Sequence, residues 1–187
     1  MVVMGYVKQG STPLQHRHAF VVRISEEQVS TERRVGPMIV GNCVVVSTNG
    51  RAHLELRRQE FAGRAMLTTY QSRLNKNELA ILQRLLTADA LKTLSPFIAP
   101  PTHLDSYQVS GWYDITAEIP RDASLQQIGY FEPTGEKRPI GTAEMRARWS
   151  RSSAAMHPLV EWFHAFRTDK RWMQISNPKS GVCGQEE

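Results

Sequence analysis

The sequence predicts a single α+β domain over residues 19–175, in which an antiparallel sheet built from hairpins carries helices on one face. Strand-like segments follow one another before and after a helical segment, and no strand–helix–strand alternation is present. The chain has 187 residues, 41% hydrophobic and 22% charged, which is the size and composition of one globular domain. Segments 1–18 and 176–187 are rich in Gly, Pro, Ser and Gln, which predicts a loose N-terminal segment and a flexible C-terminal tail.

The first strand is predicted over residues 19–25, followed by a polar connection over 26–37. The next two strands, 38–48 and 51–58, flank Asn49–Gly50, a pair typical of a two-residue type I′ hairpin turn. That turn pairs Val46 with His53 and Val44 with Glu55. It predicts a core face that carries Cys43, Val45, Ser47, Ala52, Leu54 and Leu56.

The same register places Val44 and Val46 on the opposite, mostly polar face of the hairpin. Two exposed valines beside charged residues predict an interface, and one interpretation is a homodimer through this face. The alternative is that valine was selected there for its β propensity on an open surface.

The later elements follow from periodicity. A strand is predicted over 65–71, and Asn75 with Glu78 three residues later predicts a capping box at the start of a helix. A short helix over 88–94 follows, then a hairpin of strands 107–119 and 125–131. The last helix is predicted around 154–168, starting at Ser153 or at Pro158 because proline suits a first helical turn.

Several functional classes are disfavoured by composition. No apolar run reaches the roughly 20 residues that span a bilayer, and no leader pattern is present, so we expect a cytoplasmic protein without membrane association. Only two cysteines occur, Cys43 and Cys183, and we predict both to be free thiols. The common nucleotide, zinc-protease and serine-hydrolase motifs are missing, and we predict no bound cofactor.

Two sets of residues are candidates for binding on the last helix and its flanks. His157, Glu161 and His164 share a helical face, so two imidazoles and a carboxylate could meet one metal. The net charge of +5 is spread over a mixed surface, but basic residues locally outnumber acidic ones between Lys137 and Arg171, in a patch that is interleaved with Trp149 and Trp172. Cations and rings in that pattern are candidates for nucleic-acid or anion binding. The patch residues are Arg146, Arg148, Arg151, Arg167, Lys170 and Arg171.

The leading functional prediction is a small non-enzymatic binding or protein-interaction domain. One alternative is an enzyme of unfamiliar type that uses His53, Asp114 or the three residues of the terminal helix. Another is a weak nucleic-acid binder that uses the basic patch. Asp114 and Glu118 lie four residues apart on a strand, about 13 Å, which is too far for a glycosidase pair, so a solvated sheet face is expected there.

Overall fold

A computed structural model describes residues 20–30, 38–60, 66–101, 109–122, 124–135, 138–175 and 183. The predicted loose N-terminal segment, and the predicted tail apart from Cys183, lie outside the described residues. The described elements in chain order are β1 Phe20–Ser30, β2 Met38–Ser47, β3 Arg51–Glu60, β4 Met66–Arg73, α1 Lys76–Leu86, α2 Asp89–Lys92, β5 Gly111–Arg121, β6 Ser124–Thr134, α3 Ala143–Arg167 and β7 Met173–Gln174.

The strands form one antiparallel sheet in the order β6-β5-β1-β2-β3-β4-β7, which confirms the predicted α+β class with a hairpin-built sheet. The connection from β6 to β7 joins the two edges of the sheet, and α3 makes this crossing. Near β6, Trp149 of α3 packs on Phe131 with ring centroids 5.0 Å apart. At its other end, Arg167 of α3 reaches Glu26 on the interior strand β1.

The predicted hairpin between β2 and β3 exists, but its predicted register is wrong by one residue. Val45 pairs with His53 and Val46 with Ala52, because the loop contains three residues instead of two. The amide of Gly50 donates to the carbonyl of Ser47 at 2.9 Å, and Gly50 has a φ of 80°. A turn that ends on a left-handed glycine is the usual three-residue hairpin loop.

The shift of one residue exchanges the faces of β2, because side chains alternate along a strand. Val44 and Val46 are fully buried in the core, on the same side as Ala52 and Leu54. The predicted interface through these two valines is therefore wrong, since neither side chain is available to a second subunit.

The two faces of the sheet differ in what they contact. The inner face carries Val44, Val46 and Leu54, which share one core with buried residues of all three helices. We call the opposite side of the sheet the outer face, and it carries Cys43, Val45, His53, Glu55 and Thr69.

The predicted capping box at the start of α1 is confirmed. Asn75 accepts from the amide of Glu78, and the Glu78 carboxylate accepts from the amide of Asn75 at 2.7 Å. Two backbone donors that have no partner inside the helix are satisfied in this way.

Helix α3 begins at Ala143, well before the predicted start at Ser153 or Pro158. Thr142 caps it by accepting from the amide of Met145 at 3.2 Å. Pro158 lies in the interior and is exposed. A proline there costs about 3 kcal/mol, and burial of Trp149 in the first half of the helix offsets that cost, since burying a large side chain contributes a similar amount.

The two cysteines form a disulfide, so the prediction of two free thiols is wrong. Cys43 of β2 is joined to Cys183, 140 residues further along the chain. The amide of Cys183 also donates to Glu55 Oε1 at 3.2 Å, which places this residue over the outer face. Sequence spacing carries no information about a contact between residues so far apart.

Candidate functional site

The structure separates the three predicted metal ligands of α3. His157 Nε2 lies 3.3 Å from Glu161 Oε1, and both side chains are exposed. His164 faces the sheet instead, with its Nε2 atom 2.9 Å from Glu26 Oε1. Among the described residues, no group of three or more His, Cys, Asp or Glu side chains is arranged to hold a metal ion.

The predicted basic patch is divided by local contacts. Arg146 donates to the carbonyl of Gly141 at 2.7 Å and Arg148 to that of Pro96 at 3.2 Å. Arg167 pairs with Glu26, whereas Arg151 and Lys170 are exposed. Four cations of this patch, Arg171 included, are thus occupied by carbonyl or carboxylate oxygens of the same chain.

The two tryptophans of the patch are not open stacking platforms. Trp149 is buried and its indole N–H donates to the carbonyl of Ile98 at 2.8 Å. Trp172 donates to the carbonyl of Phe166 at 2.7 Å, and the two rings lie 4.9 Å apart. Both rings therefore serve packing within the domain.

The two acidic residues of β5 have different surroundings. Glu118 pairs with Arg23 at 2.8 Å on the outer face. Asp114 is partly buried beside Glu27 of β1, and the burial, together with the charge of Glu27, raises the pKa of Asp114 to about 7. The prediction of a solvated face is therefore wrong for both residues, because each side chain is only partly exposed.

The buried Glu26 is the centre of a partly buried polar cluster that the sequence did not indicate. Its Oε1 atom lies 3.0 Å from the Tyr113 hydroxyl and 2.9 Å from His164 Nε2. Its Oε2 atom accepts from Asn42 at 2.7 Å and from Arg167. The five residues come from β1, β2, β5 and α3, so the cluster joins the helix to three strands.

The electrostatics of this cluster favour a structural role. Burial by itself would raise the pKa of Glu26, but hydrogen bonds and the charge of Arg167 bring that pKa below its ordinary value. Four donors already occupy the carboxylate, whose two oxygens offer about four lone-pair sites. A substrate would have to displace one of these donors, and we therefore assign Glu26 to anchoring α3 on the sheet.

A second polar region is an open cleft of about 700 Å³ on the outer face, beside β7. Three arginines line it, Arg51, Arg73 and Arg171, together with His53 and Gln71. Arg51 and Arg73 lie directly opposite each other on β3 and β4. Only Arg171 belongs to the basic patch predicted from the sequence.

Neighbouring elements fix the position of the two opposed arginines. The carbonyl of Gly50 accepts from the amide of Leu74 at 2.9 Å, which holds the hairpin loop against the end of β4. A side chain at position 50 would meet that Leu74 carbonyl at 2.9 Å, so the close approach requires glycine. The amide of Arg51 donates to Asn49 Oδ1 at 3.0 Å, which sets the start of β3.

The charges around the cleft are not balanced. Glu78 and Asp169 bind the guanidinium of Arg171 at 2.7 and 2.8 Å, and these hydrogen bonds raise its pKa. Neither Arg51 nor Arg73 forms an ion pair within the part of the chain that the structure describes. Among the described residues, two positive charges therefore face the cleft without an ion-pair partner.

Sequence reasoning missed this pair because Arg51 and Arg73 lie 22 positions apart and become neighbours only through the register of β3 and β4. The signal that could have found them is the position of each arginine at a strand end.

The comparison of this sequence with protein-family models, and with curated proteins, finds no match. No helix of the described residues is long and apolar enough to cross a bilayer.

Proposed function

We propose that this protein is a binding domain for a small anion, such as a phosphate or carboxylate group, and that the outer-face cleft holds it. The observation that carries the proposal is the direct opposition of Arg51 and Arg73 without a counter-ion among the described residues. Guanidinium groups form paired, charge-assisted hydrogen bonds with phosphate and carboxylate oxygens.

The energetics of the pair support this function. Like charges directly opposite on two strands are destabilising by a few tenths of a kcal/mol to about 1 kcal/mol. An anion placed between them would turn that repulsion into two attractive interactions. Residues that lower the stability of the fold and form no compensating contact are typical of functional sites.

The arrangement around the pair is suited to binding. Glu55 Oε1 lies 3.0 Å from His53 Nε2, which orients the imidazole at the wall of the cleft. The carboxylates of Glu78 and Asp169 hold the guanidinium of Arg171 at the wall of the cleft. Pre-positioned groups of this kind lose little conformational entropy when a ligand binds.

The disulfide indicates in which cellular compartment the protein would bind such a ligand. Disulfides persist in oxidising compartments and are rare in the cytosol. The bond between Cys43 and Cys183 supports an oxidising compartment and is an argument against the predicted cytoplasmic location. Thiol labelling of the protein within its native cells, before and after reduction, tests this point. Labelling without reduction would restore the cytoplasmic prediction.

Titration with inorganic phosphate, followed by amide and arginine side-chain NMR shifts, tests the proposed function. We expect saturable shifts at Arg51, Arg73 and neighbouring residues. The double variant Arg51→Gln/Arg73→Gln should lose them, because each charge-assisted hydrogen bond contributes about 1.5–3 kcal/mol. The matched control is Arg151→Gln, which removes an exposed arginine elsewhere. Equal binding by the double variant and the control would contradict the proposal.

A further inference from the structure

The cleft that holds the two opposed arginines also has an apolar wall. Met173 and Ile175 line it on the same side of the sheet, and the buried Val45 lies at its floor. Met173 is 61% exposed, an unusual fraction for a large hydrophobic side chain. A flexible thioether side chain at the rim of an open cleft is well suited to contact an apolar ligand.

The register orders these residues by polarity. Arg51 and Arg73 form one cross-strand pair, and His53 and Gln71 form the next pair along the strands. Val45 lies opposite His53 on the far side, and Met173 lies opposite Gln71. The charged pair therefore occupies one end of the cleft, and apolar side chains flank the adjacent row.

The apolar wall continues one row further from the arginines. The amide of Ile175 donates to the carbonyl of Thr69 at 2.9 Å, which places Ile175 beyond Met173 along the strand. Two residues along a strand span about 7 Å, so the wall extends about 7–14 Å from the charged pair. This length exceeds what a bare phosphate or acetate ion would occupy.

We propose that the ligand is an amphipathic anion, with a phosphate or carboxylate head between Arg51 and Arg73 and an aliphatic chain along Met173 and Ile175. This inference rests on the proposed function, since it assigns the head to the same arginines. The ligand is a single dissolved molecule and not a lipid within a bilayer, because the cleft of about 700 Å³ is in the usual size range of small-molecule sites.

Calorimetric titration of the full chain with octyl phosphate and with inorganic phosphate tests the inference. We expect octyl phosphate to bind at least tenfold more tightly, since each buried methylene gives about a fourfold gain in affinity. Octyl glucoside, which has the same chain and no charge, should bind far more weakly than octyl phosphate. The variant Met173→Gln should reduce the ratio of the affinities for octyl phosphate and inorganic phosphate, whereas the control Arg151→Gln, at an exposed residue outside the cleft, should leave both affinities unchanged.

The outcomes separate the two proposals. Equal affinities for the two phosphates would overturn the amphipathic ligand and leave the anion site intact. If the native protein binds neither octyl phosphate nor inorganic phosphate, the proposed function is overturned as well. Equal binding of octyl glucoside and octyl phosphate would show that the arginines do not select the ligand. Vesicles of phosphatidylcholine and phosphatidic acid test a membrane surface as the alternative ligand. If the protein sediments with these vesicles but does not bind soluble octyl phosphate, the inference is overturned.

Discussion

Arg51 and Arg73 face each other across β3 and β4 on the outer face of the sheet, and both are exposed at the mouth of one cleft. Neither forms an ion pair with the described residues, although Arg171 at the same cleft has two carboxylate partners. The proposed anion site is based on this difference, since Arg171 has carboxylate partners whereas Arg51 and Arg73 have none among the described residues.

The substitution Arg73→Gln should separate stability from binding. Removal of one like charge should raise the free energy of unfolding of the ligand-free protein by a few tenths of a kcal/mol up to about 1 kcal/mol. It should also abolish most of the thermal stabilisation that phosphate gives to the native protein, because a ligand stabilises only when its concentration exceeds its dissociation constant. Thermal denaturation with and without phosphate measures both effects.

The control for Arg73→Gln is Arg151→Gln, which should leave the stabilisation by phosphate unchanged. A loss of stability in ligand-free Arg73→Gln would show that the arginine has a structural partner and would argue against the repulsion.

Reduction of the disulfide should lower the free energy of unfolding by roughly 3–5 kcal/mol, because the bond closes a loop of about 140 residues in the unfolded chain. Urea denaturation with and without dithiothreitol measures the difference. The variant Cys43→Ser/Cys183→Ser should have the stability of the reduced protein and should not respond to dithiothreitol. Identical curves for the oxidised and reduced native protein would contradict the prediction.

The substitution Glu26→Gln should destabilise the protein by roughly 3 kcal/mol, because it leaves Arg167 without its counter-charge at the interface of helix and sheet. Chemical denaturation measures the loss. Glu161→Gln is the matched control, since Glu161 is exposed and pairs only with His157 among the described residues. Its effect should stay within about 1 kcal/mol.

The Glu26 carboxylate should also contribute to the loss of stability at low pH. The pKa of Glu26 is lower in the folded protein than its ordinary value, so its contribution is complete above about pH 4.3 and is lost as the pH falls further. Stability should therefore fall less steeply below that pH in Glu26→Gln than in the native protein. Parallel acid profiles for the two proteins would argue that Glu26 is not ionised in the fold.

Asp114 should have the opposite pH dependence. Its pKa is raised to about 7, so the folded state binds a proton more tightly than the unfolded chain does. This carboxyl lowers stability progressively as the pH rises from about 4 to about 7. Asp114→Asn should therefore stabilise the protein at pH 8, on the order of 2 kcal/mol, and much less at pH 4. Denaturation at both pH values measures this, with the exposed Asp122→Asn as control.

The elements that were predicted correctly are those specified by neighbouring residues. Asn75 and Glu78 are three positions apart, and their mutual hydrogen bonds need only one helical turn, so the start of α1 was visible in the sequence. The hairpin of β2 and β3 was also visible, because Asn49 and Gly50 interrupt two extended segments. Its register was not, since one additional loop residue changes which side of β2 is buried.

The start of α3 was missed for a different reason. The first half of the helix has no strong apolar face of its own, and its stability comes from contacts with β6, such as that of Trp149 with Phe131. A helical pattern in the sequence reports only the residues that face one continuous core.

By itself, the sequence determined the α+β class, the succession of hairpins and the capped helix, because these depend on alternation, turn residues and caps within a few positions. The tertiary structure decided the disulfide, the Glu26 cluster and the opposition of Arg51 and Arg73. Each of these contacts joins residues that lie far apart in the chain. Their proximity depends on strand register and on the crossing of α3, which are set by the packing of the whole core.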